Sequence, residues 1–294
     1  MPVYIITHAT TYRYSQPVVI SHQALHLEPL ANETQECLSF DLEVYPRPLD
    51  MLTREDYFGN RMHYLTVTEP HLELHITARS QVAVTPAPTP ASTIRSGEAR
   101  AWLRNSTEPA AHTARQFLYP SSSVPSLPFA AEWAARLFPD DRLVLEGVSD
   151  LCAEIYRRFV FDPTATDAET SLEDFMQIER GVCQHFAHLA IAVLHAAGLP
   201  GRYVSGYLLT RPPPGQVRRI GADASHAWVS VFLPDSGWLD FDPTNNIFRG
   251  VEHITTAYGR DYDDVSPVRG TVTGGGPQAL FLGVTVAPAG EPAH

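Results

Sequence analysis

Residues 181–200 read GVCQHFAHLAIAVLHAAGLP, and the fold turns on this stretch. Advancing about 100° per residue from Val182 puts Val182, Phe186, Leu189, Ala190, Val193, Leu194 and Ala197 within about 140° of one another. That stripe predicts a helix with one face in a core. Gly198, with Pro200 beyond it, predicts the stop. Cys183 falls at the second or third helical residue, at the edge of the stripe. There the first backbone N–H groups have no intrahelical partner, and the helix dipole places partial positive charge. Both favour a thiolate, the nucleophilic form of cysteine.

Downstream, RYVSGYLLT (202–210), HAWVSVFLP (226–234) and WLDFDPT (238–244) read as consecutive strands. A Pro- and Arg-bearing loop, 211–224, separates the first two, and 252–259 and 279–287 predict further strands. His226 lies 43 residues after Cys183, so the two meet only through the fold; Asp242 follows 16 residues later. A strand, a turn at 234–237 and a second strand fill that interval, and an antiparallel pair brings His226 and Asp242 side by side. Thiol, imidazole and carboxylate then take the roles of nucleophile, base and orienter. Asp240, on the same strand face as Asp242, is the competing orienter. Trp228 shares the face of His226 by the strand period of two.

Upstream, residues 1–84 are short β-branched and aromatic runs broken by Pro, Gly, Asn and Asp, and they predict an antiparallel, sandwich-like β-domain. Tyr57-Phe58-Gly59-Asn60 reads as a turn within it. Residues 85–105 read as a linker, Pro- and Thr-rich at its start. FAAEWAARLF (129–138) and LVLEGVSDLCAEIYRRF (143–159) carry helical spacing. The predicted organisation is α+β: a β-domain over 1–84, a catalytic unit over 106–286, and a disordered tail over 287–294.

The 294-residue chain carries 21 basic and 33 acidic residues, a net charge of −12. A nucleic-acid binder needs a basic field, so that class is excluded. All the basic residues are arginine, so the chain offers no lysine of its own to a crosslinking reaction. Three widely spaced cysteines, Cys37, Cys152 and Cys183, do not form a disulfide framework, and core packing is the reading for the first two. Neither a leader nor an apolar run of membrane length is visible, so a soluble cytoplasmic protein is expected.

Together, GVCxxFA at a helix start, GLPGRYVSGYL, HAWVSVFLP-x-x-GW and LDFDPTNN resemble the transglutaminase-like superfamily of cysteine enzymes. Residues 12–21 and 56–60 and GRDYDDVSPVRG (259–270) resemble its bacterial members with their own N-terminal β-domain. The resemblance implies a papain-like α+β core, a Cys183–His226–Asp242 triad, and acyl transfer through a thioester without a cofactor. The Cys183 backbone N–H is the expected first oxyanion donor. Eukaryotic transglutaminases use a Trp of the preceding segment as the second, and FVFDPTATD (159–167) has none. This favours hydrolysis of a peptide or isopeptide bond over crosslinking. Two positions after the cysteine, where relatives are often acidic, stands His185.

Expected partners are a peptide or protein carrying a Gln-like or peptide amide and, for a transferase, an amine co-substrate. Neither nucleic acid nor membrane is expected as a partner. Gln184, Trp228, Arg211 and Arg218 are candidate substrate contacts, and a solvated loop is the plain alternative for the two arginines. No metal site is expected. Cys183, His185 and His188 invite a zinc reading, but on a helix the cysteine points away from both histidines. His195 reads as a solvated-face residue. The readings left open are a cysteine hydrolase, an acyl transferase, and a catalytically silent peptide-binding protein on the same fold.

Overall fold

The computed structural model describes residues 1–167, 170–210 and 225–290. The alternating runs of the first 84 residues form β1 (Val3–Leu25), β2 (Gln35–Tyr45), β3 (Asp50–Glu55), β4 (Arg61–Val67) and β5 (His71–Val84). Helices follow: α1 (Ser96–Asn105), α2 (Pro109–Arg115), α3 (Pro128–Leu137) and α4 (Val144–Arg158). Next come β6 (Val160–Phe161), α5 (Leu172–Ile178), β7 (Arg180–Gly181) and α6 (Cys183–Ala196). The chain then forms β8 (Gly201–Leu208), β9 (Ser225–Leu233), β10 (Gly237–Asp242), β11 (Ile247–Phe248), β12 (His253–Gly259), α7 (Tyr262–Val265), β13 (Val268–Gly274) and β14 (Gln278–Pro288).

Two boundaries differ from the sequence reading. The expected linker ends in a helix, because Ala99 and Leu103 recur at a spacing of four and are buried. The sandwich-like unit is one continuous sheet in the order β2-β5-β1-β4-β3, folded over so that Leu65 and Val67 of β4 share a core with Leu74, Ile76 and Ala78 of β5 and Phe40 of β2 stacks on His63 of β4. The long β1 shifts register between Arg13 and Val18, pairing with β5 before the shift and β4 after it. Its other edge takes β14 and then β13. The C-terminal hairpin, assigned above to the catalytic unit, therefore belongs to the N-terminal sheet and covers what would be an open edge.

A second apolar contact joins this sheet to the rest of the chain. Tyr4, Ile6, Val82, Val84, Val284 and Val286 pack on Tyr207, Leu209 and Ile254 of the second sheet region. That five-stranded sheet has the order β11-β10-β9-β8-β12. Its other packed face, through Tyr203, Ala227, Val229 and Val231, meets α6 and the surrounding helices.

Helix α6 is central rather than amphipathic, with every residue from Gln184 to Leu194 buried. His195, read as solvated, is mostly buried too, with Nε2 3.2 Å from the Gly201 carbonyl; burial pulls its imidazole down to about 4. The helix closes at Gly198, whose φ of +69° suits a residue without Cβ. Among the described residues no helix is long and apolar enough to cross a membrane.

β12 is an edge strand of its sheet, and the N-terminal unit covers that edge with two buried amides. Gln35 Nε2 donates to the Thr255 carbonyl at 2.8 Å, and the Thr255 N–H returns to Gln35 Oε1 at 2.8 Å. Asn60 Nδ2 donates to the Tyr258 carbonyl at 2.7 Å, and the Tyr258 N–H returns to Asn60 Oδ1 at 2.8 Å. Side chains stand in for a missing neighbouring strand.

Candidate active site

Cys183 is the first residue of α6, one position earlier than the sequence reading, with Val182 as the N-cap. Its N–H therefore belongs to the turn that lacks intrahelical acceptors. His185 closes the helix start as a capping-box side chain does, its Nδ1 accepting from the Val182 N–H at 3.3 Å. Its ring stacks on Phe175, centroids 5.3 Å apart. Cys183 is half-buried and packs against the central core.

His226 is the second residue of β9, and its partner across the sheet is Gly206 of β8. Only glycine fits there, since a Cβ would stand 2.0 Å from the Ile254 carbonyl oxygen and 2.6 Å from the Trp228 ring. β10 runs antiparallel to β9, with Phe241 opposite Val229. Asp242 is thus the diagonal neighbour of His226, and the side chains meet, His226 Nε2 lying 2.7 Å from Asp242 Oδ2. The Cys183 thiol is among the influences that raise the same imidazole. With Nε2 facing the carboxylate, Nδ1 is the ring nitrogen turned away from it.

The environment decides the charge state. Burial opposes a charged imidazole, but the Asp242 carboxylate at contact distance and its hydrogen bond outweigh it, and His226 is lifted to about 10. Asp242 is fully buried. Burial alone would raise its carboxyl; the His226 imidazolium and the hydrogen bonds from His226, His253 and Asn245 hold it well below the usual carboxylate range. Oδ2 receives Asn245 Nδ2 at 2.7 Å and faces His253 Nε2 at 3.2 Å. Oδ1 accepts the backbone N–H groups of Thr244 at 2.9 Å and Asn245 at 3.2 Å. Beneath it, Cys152 Sγ donates to the Asp242 carbonyl at 3.3 Å.

Asp240 does not reach His226 in this network; its Oδ2 accepts Trp228 Nε1 at 3.4 Å and sits 3.8 Å from Arg249 Nε. Trp228 has no exposed surface and stacks beside His226, centroids 6.1 Å apart. It therefore packs the imidazole in place and is corrected as a substrate contact. Gln184 is 8% exposed, most of its surface inside the helix packing. Arg211 and Arg218 lie outside the described residues.

The zinc reading of α6 has no geometric support. His188 Nε2 accepts the Tyr262 N–H at 3.1 Å, while His185 turns to Val182 and Phe175. One group of potential ligands among the described residues, His226, Asp242 and His253, does lie within 4.8 Å. Its shortest contact, 2.7 Å, is a hydrogen-bond length. Two ligands about 2.0–2.1 Å from one tetrahedral zinc stand roughly 3.3 Å apart, so the group is a hydrogen-bond network.

Sequence reasoning missed His253 and Asn245. Asn245 was visible in DPTNN, where a side chain three residues after a turn-forming Asp reaches back to it. His253 gave no signal beyond its strand.

Residues 4–83 match the family described as the bacterial transglutaminase-like N-terminal region, and residues 131–243 match the transglutaminase-like superfamily. An uncharacterized protein of Mycobacterium tuberculosis is 39% identical over 294 residues, spanning 97% of this chain and 92% of its own length. A protein-glutamine gamma-glutamyltransferase of Pseudomonas aeruginosa is 37% identical over 91 residues, 30% of this chain and 14% of that protein. A crystal structure from Cytophaga hutchinsonii, named as a candidate cysteine protease, superposes with a TM-score of 0.73 at 22% identity. That match covers 99% of this chain and 92% of the other, a likeness of fold.

Proposed function

We propose, proceeding from the fact that this chain belongs to the transglutaminase-like superfamily, that it is a cysteine enzyme acting on amide bonds of peptides or proteins. One observation carries the reading: a half-buried thiol at a helix N-terminus raises, together with a fully buried carboxylate 2.7 Å from Nε2, the imidazole of His226. The Cys183 sulfur attacks the amide carbonyl carbon, and the oxyanion that forms faces the Cys183 N–H at the positive end of α6. The C–N bond then breaks, the leaving amine takes a proton from His226, and a thioester remains on Cys183. Water attacks the thioester with His226 as base, releasing the acid and the thiol. Asp242 keeps the imidazole turned toward the sulfur throughout. The favoured substrate is a peptide or isopeptide bond, cleaved by hydrolysis.

A second reading has its own support. The 91-residue match to a protein-glutamine gamma-glutamyltransferase favours an amine in place of water at the second step. The two chemistries separate on a Gln-containing peptide incubated with and without a primary amine. Release of ammonia at a rate the amine does not alter, with no amide product, selects hydrolysis; an amine-dependent adduct selects transfer. No trapped acyl group on Cys183 by mass spectrometry, and alkylation no faster than that of free cysteine at pH 6, would leave a binding protein as the remaining account.

A further inference from the structure

We propose that His253 is a positioning residue of this site, acting through Asp242; the inference rests on the reading of Cys183 and His226 given above. His253 is 1% exposed on β12, 5.1 Å edge-on from the Trp228 ring and 6.2 Å from the His226 ring. The Gly250 N–H points at its Nδ1 from 3.4 Å. Nδ1 is therefore the acceptor, and the ring's single proton sits on Nε2, 3.2 Å from Asp242 Oδ2.

The carboxylate gains from this in orientation. A carboxylate offers about four acceptor positions. Asp242 meets His226, Asn245 and His253 at one oxygen and two backbone N–H groups at the other. Rotating the group breaks several of these contacts at once, so Oδ2 stays facing His226 and the far side of that ring stays facing the sulfur. His253 is itself anchored from a distance. Its strand is clamped at Thr255 by Gln35 and at Tyr258 by Asn60, so the N-terminal sheet reaches the site through this one imidazole.

The titratable groups around His253 are Asp242 and His226, with Cys183 beyond them. Asp240 lies behind Trp228. Cys152 is under the Asp242 backbone, its thiol pushed up to about 12 by burial and by the Asp242 charge, so it stays protonated.

Two substitutions separate orientation from plain structure. His253→Gln places an N–H₂ near the Nε2 position and keeps the donor to Asp242. His253→Asn places its amide near Nδ1, keeping an acceptor for Gly250 and losing the donor to Asp242. The readout is the rate of iodoacetamide alkylation at Cys183 in the full chain, followed by mass from pH 5 to 9. The Gln variant is expected within about threefold of wild type. The Asn variant is expected about tenfold slower at pH 6, the worth of one hydrogen bond to a charged group.

Equal rates in all three proteins, or equal losses in both variants, overturn the proposal while leaving an activated wild-type thiol in place. A wild-type thiol no faster than free cysteine removes the reading of the site and this proposal with it. The ¹⁵N signals of His253 in the wild type give a check that needs no variant: a proton on Nε2 is expected, and a lone proton on Nδ1 overturns the assignment.

Discussion

Replacing Asp242 with Asn keeps the shape of the side chain and removes the charge that sets the protonation of His226. Burial is the largest influence on that imidazole and acts to lower it, so with the carboxylate gone the ring is expected to fall from about 10, only Cys183 still acting to raise it. The imidazolium share near neutral pH then drops. The amide also cannot accept at both ends. Whichever way it turns, its N–H₂ meets either the donors of His226, Asn245 and His253 or the backbone N–H groups of Thr244 and Asn245. Breaking a buried ion pair from one side costs about 3–5 kcal/mol, a large part of the roughly 5–15 kcal/mol that holds a domain together. Urea unfolding measures the first effect, and alkylation of Cys183 at pH 6 measures the second. Turnover, once a substrate is found, is expected to fall by up to about 10⁴-fold, by analogy with serine triads. An Asp242→Asn protein that loses less than about 1 kcal/mol and alkylates like wild type would refute the reasoning. Asp240→Asn is the control: it touches Trp228 and Arg249 instead, and it should leave the alkylation profile in place.

Cys183→Ala should end turnover while calorimetry finds stability within about 1–2 kcal/mol of wild type, because the residue is only partly buried and loses little volume; a larger loss marks the thiol as structural. The stability profile should peak near pH 6.5. His226 is raised, so its contribution is whole below 6.5 and is lost as pH climbs toward 10. Buried His8 and His195 are lowered to about 4 and His188 to about 3, so they resist protonation and stability also falls as pH drops below 6.5. A urea midpoint constant from pH 4 to 9 would contradict both limbs. Gln35→Ala strands the Thr255 N–H and carbonyl at the covered edge of β12, and a loss of about 2–3 kcal/mol in urea is expected; no change would mean that water replaces the amide there.

The residues of the proposed site were legible in the sequence because their signals are local. A cysteine at a helix start, a strand opening on His226 and a turn opening on Asp242 each follow from residue type and short-range period. The α+β class followed the same way from runs of period two around one helix. What stayed hidden depends on contacts between distant segments. His253 reaches Asp242 only because β12 returns antiparallel beside β8 at the far edge of the sheet. Trp228 was placed on the correct face, but its complete burial comes from the crossing of neighbouring strands, which its own strand's period does not reveal.

The sequence by itself pointed to most of the strands and helices and put forward Cys183, His226 and Asp242 as the proposed reactive set, because backbone periodicity, turn residues and helix ends are properties of neighbours along the chain. Only the tertiary structure decided that the last two strands complete the first sheet. It also decided that α6 is enclosed on all sides, and that five donors converge on one carboxylate. Strand edges, burial and charge depend on what packs from elsewhere, and no stretch of this chain carries that information alone.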